Sequence, residues 1–409
     1  MCAELILRNI GGCVELRTSI SLHEAAMHAP SPAEYAKIMR PYHDQGVSLA
    51  AKIGNRGPLR WAADGQLHPD ILAAYWAHGY YIFEDVIGAD EIAALRLDAA
   101  DIIERAPVSP EATVDAKGRP AHGLDYGKPA YRLAKPLADP WGGTDLLGGR
   151  HPTKMVEPTP AEGAAEYAVF LIYGMCQSMP AGLRLYGHPH LLKIAEGING
   201  PDFTPYNDAI FVKQPGLGGS VSWHQDGITH WDSPHWDAGI HGFNFQVQLY
   251  QTTPANGLWV LPGSHKQGRI DIKALVADNG GSDRLPGAIP LVCAPGDVTI
   301  VNRQMLHGSF ANYSEDLRVS ITFGFHRRTS VLGARPGLSM AGIIDVYDDA
   351  VIFDRSAVVQ VAIDARRQHF QMEKPYRYQP FLGREDEFRF TRETQETVIK
   401  DYFMKDLAI

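Results

Sequence analysis

Histidine and aspartate stand two residues apart at four places in this chain: 68–70, 224–226, 230–232 and 235–237. A metal ion that keeps coordination positions open for small molecules is commonly held by two histidines and one carboxylate on one face. Residues i and i+2 of a β-strand point the same way, so a His-x-Asp pair delivers two ligands at once. The third ligand must then come from another strand. Because the motif occurs four times it discriminates nothing by itself, and its surroundings decide. His68 and Asp70 flank Pro69 at an expected helix start, where a proline-opened first turn accounts for them. His230 and His235 lie in a loop punctuated by Pro234 and Gly239. Only His224 and Asp226 continue a β-run, Val221-Ser-Trp-His-Gln-Asp226, and for that pair alone a metal role and a polar strand end weigh about equally.

Downstream residues shift the balance. Asp297-Val-Thr-Ile-Val-Asn302 reads as a strand after a Pro-Gly turn, and His307 follows it. Eleven residues further on, Arg318 and Ser320 share one face of a strand. A guanidinium with a neighbouring hydroxyl is a natural grip for a buried carboxylate. The dicarboxylate 2-oxoglutarate has a 2-oxo acid end that can chelate a metal and a second carboxylate for such a grip. The plainer reading of Arg318 is that it neutralises Glu315 or Asp316. Ser320 and Ser309 also read as ordinary strand-end hydroxyls, and Gln246 as a partner of Gln248.

Trp223-His224-Gln225-Asp226, Asn256-Gly257, Leu261-Pro262-Gly263-Ser264-His265-Lys266, Gly296-Asp297, His307-Gly308-Ser309 and Arg318 occur in an order that resembles the phytanoyl-CoA dioxygenase family of iron(II)- and 2-oxoglutarate-dependent oxygenases. The likeness covers roughly 70–330 and is most specific from 213 to 326. It implies a distorted double-stranded β-helix, a jelly-roll or cupin-like core flanked by N-terminal and C-terminal helices. It further implies that His224, Asp226 and His307 ligate iron(II) and that Arg318 holds the distal carboxylate of 2-oxoglutarate. Ser309, Gln246 and Ser320 would assist with the co-substrate. An upstream basic residue often helps, for which Arg132 is the candidate and Lys135 the near alternative. His230, Trp231 and Trp236, in the loop after the ligand strand, are placed to touch substrate, although aromatics there could equally close a core. The implied chemistry consumes O₂ and 2-oxoglutarate, releases succinate and CO₂, and oxidises an unactivated C–H bond. Hydroxylation, desaturation, cyclisation and epimerisation would all use the same residues.

The elements that must position these side chains are legible in outline. Residues 1–65, with Pro30, Pro32, Pro41 and Pro58 expected to break any long helix, read as an N-terminal arm. Residues 66–330 read as one catalytic domain. Its opening is helix, strand, helix (68–76, 79–83 and from Ala89), then a Gly/Pro-rich loop or lid over 106–165 and a helical stretch over about 166–199. From about 205 to 330 short strands are separated by Gly/Pro/Asn turns. Phe243-Asn-Phe-Gln-Val-Gln-Leu-Tyr250 alternates strictly, one face for a core and one polar face lining something. Residues 331–409 read as an α-rich or irregular extension packed on the core.

Composition bounds the function. The 409 residues carry 38 Lys plus Arg against 47 Asp plus Glu, a net charge of −9, which argues against a nucleic-acid or anionic-membrane surface. Four cysteines with no CxxC spacing make no disulfide framework, so reduced thiols and a cytoplasmic setting are expected. The longest apolar run, 167–176, is about half the ~20 residues of a membrane span. A small-molecule substrate is expected, such as a natural-product intermediate, an amino-acid derivative or a lipid-like acid; the oligomeric state is not legible. Two other classes use a similar scaffold: a non-catalytic or zinc-loaded β-barrel binding module, and a cupin-type metallo-isomerase or hydrolase. Neither has a use for Arg318.

Overall fold

The computed structural model of the chain describes residues 29–227, 242–336 and 344–405. Twelve strands are present among them: β1 (Arg56–Pro58), β2 (Tyr80–Glu84), β3 (Tyr131–Ala134), β4 (Ala168–Tyr173), β5 (Phe203–Lys213), β6 (Val221–His224), β7 (Phe243–Gln248), β8 (Leu258–Val260), β9 (Ile289–Leu291), β10 (Val298–Asn302), β11 (His307–Ser309) and β12 (Arg318–Arg327). They form an eight-stranded sheet in the order β1-β2-β10-β7-β12-β5-β4-β3 and a four-stranded sheet in the order β6-β11-β8-β9. Apart from the parallel β1–β2 pair, the ladders are antiparallel. The result is the expected distorted double-stranded β-helix with flanking helices.

Alternation along β7 explains the layering. Phe243, Phe245 and Val247 are fully buried and join the main core, which also takes residues from helices α3 (Ala89–Glu104), α5 (Pro180–Tyr186), α6 (Pro189–Asn199) and α9 (Asp349–His369). Asn244, Gln246 and Gln248 point the opposite way, as strand geometry requires; they too are buried, and Asn244 and Gln246 line a cavity. On the neighbouring β12, Phe323 and Phe325 continue the apolar layer against Tyr186, with ring centroids 5.2 and 5.9 Å apart. Helix and cavity thus claim opposite faces of one sheet.

Helix α9 seals the outer layer. It packs on α5 and β5, so closely that a Cβ at Gly187 would fall 2.3 Å from the Ala362 carbonyl oxygen. Arg355, 1% exposed, donates to the Tyr206 carbonyl on β5 at 3.1 Å and to the Tyr402 carbonyl at 3.0 Å, tying the C-terminal segment to the strand. Among the described residues no helix is long and apolar enough to cross a membrane.

Besides β3, an edge strand within the stretch 106–165 expected as loop, two expectations about local structure fail. Residues 32–53 form a 22-residue helix, α1 (Pro32–Ile53), despite Pro41 within it. Pro32 occupies the first turn, where its missing N–H is harmless, behind a capping box of Ser31 and Glu34. An interior proline costs about 3 kcal/mol, but each fully buried large apolar side chain returns roughly 1.5–3 kcal/mol. Tyr35, Met39 and Tyr42 are all buried, Tyr42 stacking on Trp259 at 4.6 Å. Tertiary packing therefore outweighs the break. The second failure is the helical stretch over 166–199: near its start lies β4, six residues long and inserted between β3 and β5. A strand buried on both faces has no alternation, so Ala-Val-Phe-Leu-Ile-Tyr cannot be told from a buried helix by period. The remainder is helical, as α4 (Met175–Ser178), α5 and α6.

Candidate metal centre and its cavity

β6 and β11 are antiparallel neighbours, and their register sets His307 directly opposite His224. Paired residues share a face, so the two imidazoles meet with ring centroids 4.0 Å apart. Asp226, two residues after His224, turns to the same side. His224 Nε2 lies 3.7 Å from Asp226 Oδ1, and His307 Nε2 lies 3.8 Å from Oδ2. One donor atom from each residue falls within 4.8 Å of the others, close enough to share one ion.

The protonation states suit a cation. Each histidine gives its Nδ1 proton to a backbone carbonyl, His224 to Ser222 at 2.9 Å and His307 to Met305 at 2.8 Å. That fixes the tautomer and turns both Nε2 lone pairs toward the centre. Burial pushes both imidazoles below their ordinary range, so they stay neutral. Burial alone would raise Asp226, but Arg150 and its other polar neighbours hold the carboxyl down at about 2, ionised. Two neutral imidazoles and one carboxylate form the donor set that leaves positions open on iron(II).

The supports of the triad come from remote parts of the chain. Arg150 Nη1 donates to Asp226 Oδ1 at 2.9 Å, and the Asn244 amide donates to Oδ2 at 2.9 Å. His151 lies beside His224 with ring centroids 4.1 Å apart and shares the Ser222 carbonyl as acceptor at 3.2 Å. Gln225 points the other way and staples the strand: its amide donates to the carbonyls of Gly268 and Gln304, and its oxygen accepts from the Ile270 N–H. Asn244 was visible as part of the polar face of β7. Arg150 and His151 sit in an irregular loop with no periodicity or motif to single them out.

Arg318 is 2% exposed and lines the same cavity. Its Nε donates to Ser320 Oγ at 2.8 Å, Nη1 to the Asn256 carbonyl at 3.0 Å and Nη2 to Gln246 Oε1 at 3.3 Å. Ser320 passes its own proton to Gln248 Oε1 at 2.6 Å. Neither Glu315 nor Asp316 pairs with Arg318, and no carboxylate among the described residues does. A buried cation is normally paired, so this guanidinium, though pulled down to about 10 by burial, has the character of a site for an incoming anion. Ser309, two residues past His307, also lines the cavity, as does Gln246.

The cavity measures about 670 Å³, within the usual range for a small-molecule site. The triad and Arg318 share it with an apolar and aromatic wall that includes Trp141, Leu147, Leu171, Tyr206 and Phe211. Arg132 is not among its lining residues. It sits on the edge strand β3 opposite Leu171, which does line the cavity, and Lys135 pairs with exposed Glu166. The basic groups of the wall are instead Lys128, Arg150, Arg303 and Arg318. His230, Trp231 and Trp236 lie outside the described residues.

Comparison with known proteins bears on the same stretch. A sequence profile of the family described as Phytanoyl-CoA dioxygenase (PhyH) matches residues 171–320. Phytanoyl-CoA dioxygenase 1 of Oryza sativa subsp. japonica is 33% identical over 109 residues, 25% of this chain and 37% of the rice protein, so that match spans little more than a third of the relative's length. Phytanoyl-CoA dioxygenase of Arabidopsis thaliana is 24% identical over 269 residues, 62% of this chain and 87% of that protein. Among solved structures, EctD from S. alaskensis with 2-oxoglutarate and 5-hydroxyectoine is 20% identical, with a TM-score of 0.45 over 66% of this chain and 80% of that one. The non-heme alpha ketoglutarate dependent carbocyclase SnoK from nogalamycin biosynthesis is 16% identical, with a TM-score of 0.46 over 71% and 95%.

Proposed function

We propose that the chain is an iron(II)- and 2-oxoglutarate-dependent oxygenase of the phytanoyl-CoA dioxygenase family, whose profile matches residues 171–320, and that it oxidises an unactivated C–H bond of a small organic molecule held in the cavity beside the triad. His224, Asp226 and His307 hold iron(II); Arg318 anchors the distal carboxylate of 2-oxoglutarate, with Ser320, Gln246 and Ser309 completing its site. When bound, iron(II) with 2-oxoglutarate and O₂ supplies the oxidising power, at the expense of conversion of 2-oxoglutarate to succinate and CO₂.

The protein's part is positioning and exclusion. The Ser222 and Met305 carbonyls keep the two imidazole nitrogens aimed inward. Arg318 reads charge and fixes which end of the dicarboxylate faces away from the metal. The Gln248–Ser320–Arg318 chain of hydrogen bonds presets the guanidinium, so little side-chain freedom is lost on binding. The aromatic wall favours a substrate with an apolar body, as expected of a natural-product intermediate, an amino-acid derivative or a lipid-like acid.

The observation that carries this reading is Arg318, a buried cation with no carboxylate partner among the described residues, lining the cavity of the triad. A zinc-loaded binding module or a cupin-type isomerase leaves it unexplained. Anaerobic addition of iron(II) and 2-oxoglutarate should produce a weak visible charge-transfer band, and succinate should then appear under air with a suitable substrate from a metabolite panel. A protein that binds iron(II) but shows no band at any 2-oxoglutarate concentration would exclude the proposal.

A further inference from the structure

We propose that Arg150 is a positioning residue that reserves one oxygen of the Asp226 carboxylate, so that this ligand meets the metal through the other oxygen alone. The inference rests on the iron(II) reading above and deepens it. Both oxygens accept a hydrogen bond at 2.9 Å, but from different donors. Arg150 brings a full positive charge to Oδ1, and a metal cation on that same oxygen would be repelled by it. Asn244 brings a neutral amide to Oδ2, which keeps its attraction for a cation. A carboxylate bound through one oxygen fills one coordination position. Bound through both, it fills two and closes one of the three positions that 2-oxoglutarate and O₂ require.

The loop that carries Arg150 is built to hold it. Asp139 accepts from the Trp141 N–H at 2.8 Å with one oxygen and from the Ser222 N–H at 2.7 Å with the other, fastening the loop to β6 just ahead of His224. A Cβ at Gly142 would fall 2.5 Å from Ser222 Oγ, so only glycine lets the backbone come this close. The loop returns at His151, fully buried, whose ring bonds the Ser222 carbonyl and packs against Trp141 at 5.4 Å. Arg150, next in the chain to that anchor, is half-buried, its side chain 16% exposed, and Asp226 is its one ion-pair partner among the described residues. Its Nε is buried and makes no hydrogen bond, so the side chain is turned toward the carboxylate and serves no network of its own.

The test compares the full-length protein with Arg150→Met, Arg150→Gln and Arg150→Lys, each loaded anaerobically with cobalt(II) as a spectroscopic stand-in and separately with iron(II). Arg150→Met and Arg150→Gln should still take up the metal, yet show altered cobalt d–d bands. Their iron(II) forms should bind 2-oxoglutarate about 10- to 100-fold more weakly, as expected for loss of a group that orients a metal ligand. Arg150→Lys, which restores a cationic donor, should keep the original spectrum. Arg150→Gln retains a donor for Oδ1, and so reads out the effect should Arg150→Met fail to fold. Unchanged spectra and unchanged 2-oxoglutarate affinity in Met and Gln variants of a metal-binding protein would overturn this inference alone. An unmutated protein that takes up neither metal would overturn the iron(II) reading, and the inference with it.

Discussion

Lys213 and Arg318 stand directly opposite each other across the β5–β12 ladder, each 2% exposed, and no carboxylate of the described residues pairs with either. Burial, reinforced by Arg318, pushes the Lys213 ammonium well below its ordinary range, while its Nζ donates to the Phe310 carbonyl at 2.5 Å. The pair has divided the work: the lysine is spent on backbone and disfavours its own charge, and the arginine keeps its charge and faces the cavity.

Arg318→Ala should therefore strike the co-substrate and spare the metal. A charge-assisted hydrogen bond contributes roughly 1.5–3 kcal/mol, which converts to about 10- to 150-fold in 2-oxoglutarate affinity. Anaerobic titration of the charge-transfer band measures this, with iron content determined on the same samples. An affinity equal to that of the unmutated protein would remove Arg318 from the co-substrate site.

His224 and Gln225 are neighbours in sequence with opposite duties, and substitution should separate them. His224→Ala or His307→Ala should leave no metal on the protein after desalting, because only one imidazole would remain beside Asp226. Gln225→Ala should keep the metal but lose its three hydrogen bonds to the 268–270 turn and Gln304, lowering stability by about 1–3 kcal/mol. Denaturant unfolding alongside metal analysis distinguishes the two patterns, and a metal-free Gln225→Ala protein of normal stability would contradict the assignment.

The seam between α5 and α9 offers a steric test. At Gly187 φ is −88°, an ordinary value for any residue, so the glycine is required by space alone. A Cβ there would meet the Ala362 carbonyl carbon at 2.5 Å and its oxygen at 2.3 Å. Overpacking of this kind costs about 1–3 kcal/mol, so Gly187→Ala should lower the melting temperature by several degrees. A variant as stable as the parent would mean that α9 does not press on α5 in solution.

Acid should weaken the fold through His43. Burial on the inner face of α1 lowers this imidazole to about 4, Asp44 opposing only in part. The folded state then keeps His43 neutral while the unfolded chain takes up a proton below about 6.5. Its contribution is whole above that value and is lost as pH falls from 6.5 toward 4, at about 1.4 kcal/mol per pH unit. Denaturant unfolding across this window should show a shallower slope for His43→Gln. An identical slope would place the titrating groups elsewhere.

Much of the site was legible because strands impose a period of two. His224 with Asp226, His307 with Ser309, and Arg318 with Ser320 are each i and i+2 pairs, and the distance between the strands that bear them is set by the ladder. Alternation likewise marked β7, down to its cavity face. What escaped reading had no period. β4 is buried on both sides and so shows only an apolar run; α1 survives a proline because of contacts with Trp259, some two hundred residues away. Arg150 reaches Asp226 from an irregular loop 76 residues distant, and a loop arginine has no pattern that distinguishes it from Arg132 on β3, the residue the resemblance favoured.

Leu147 and Gly148 belong to the wall that a guest molecule would touch, and Arg150, two positions after Gly148, touches Asp226, the proposed metal ligand. One short segment therefore answers to two masters. Reshaping it to admit a different guest risks disturbing how Asp226 is held, so variation in selectivity should be easier to find at lining residues on the strands, Tyr173, Asn207 or Phe211, than between Trp141 and His151.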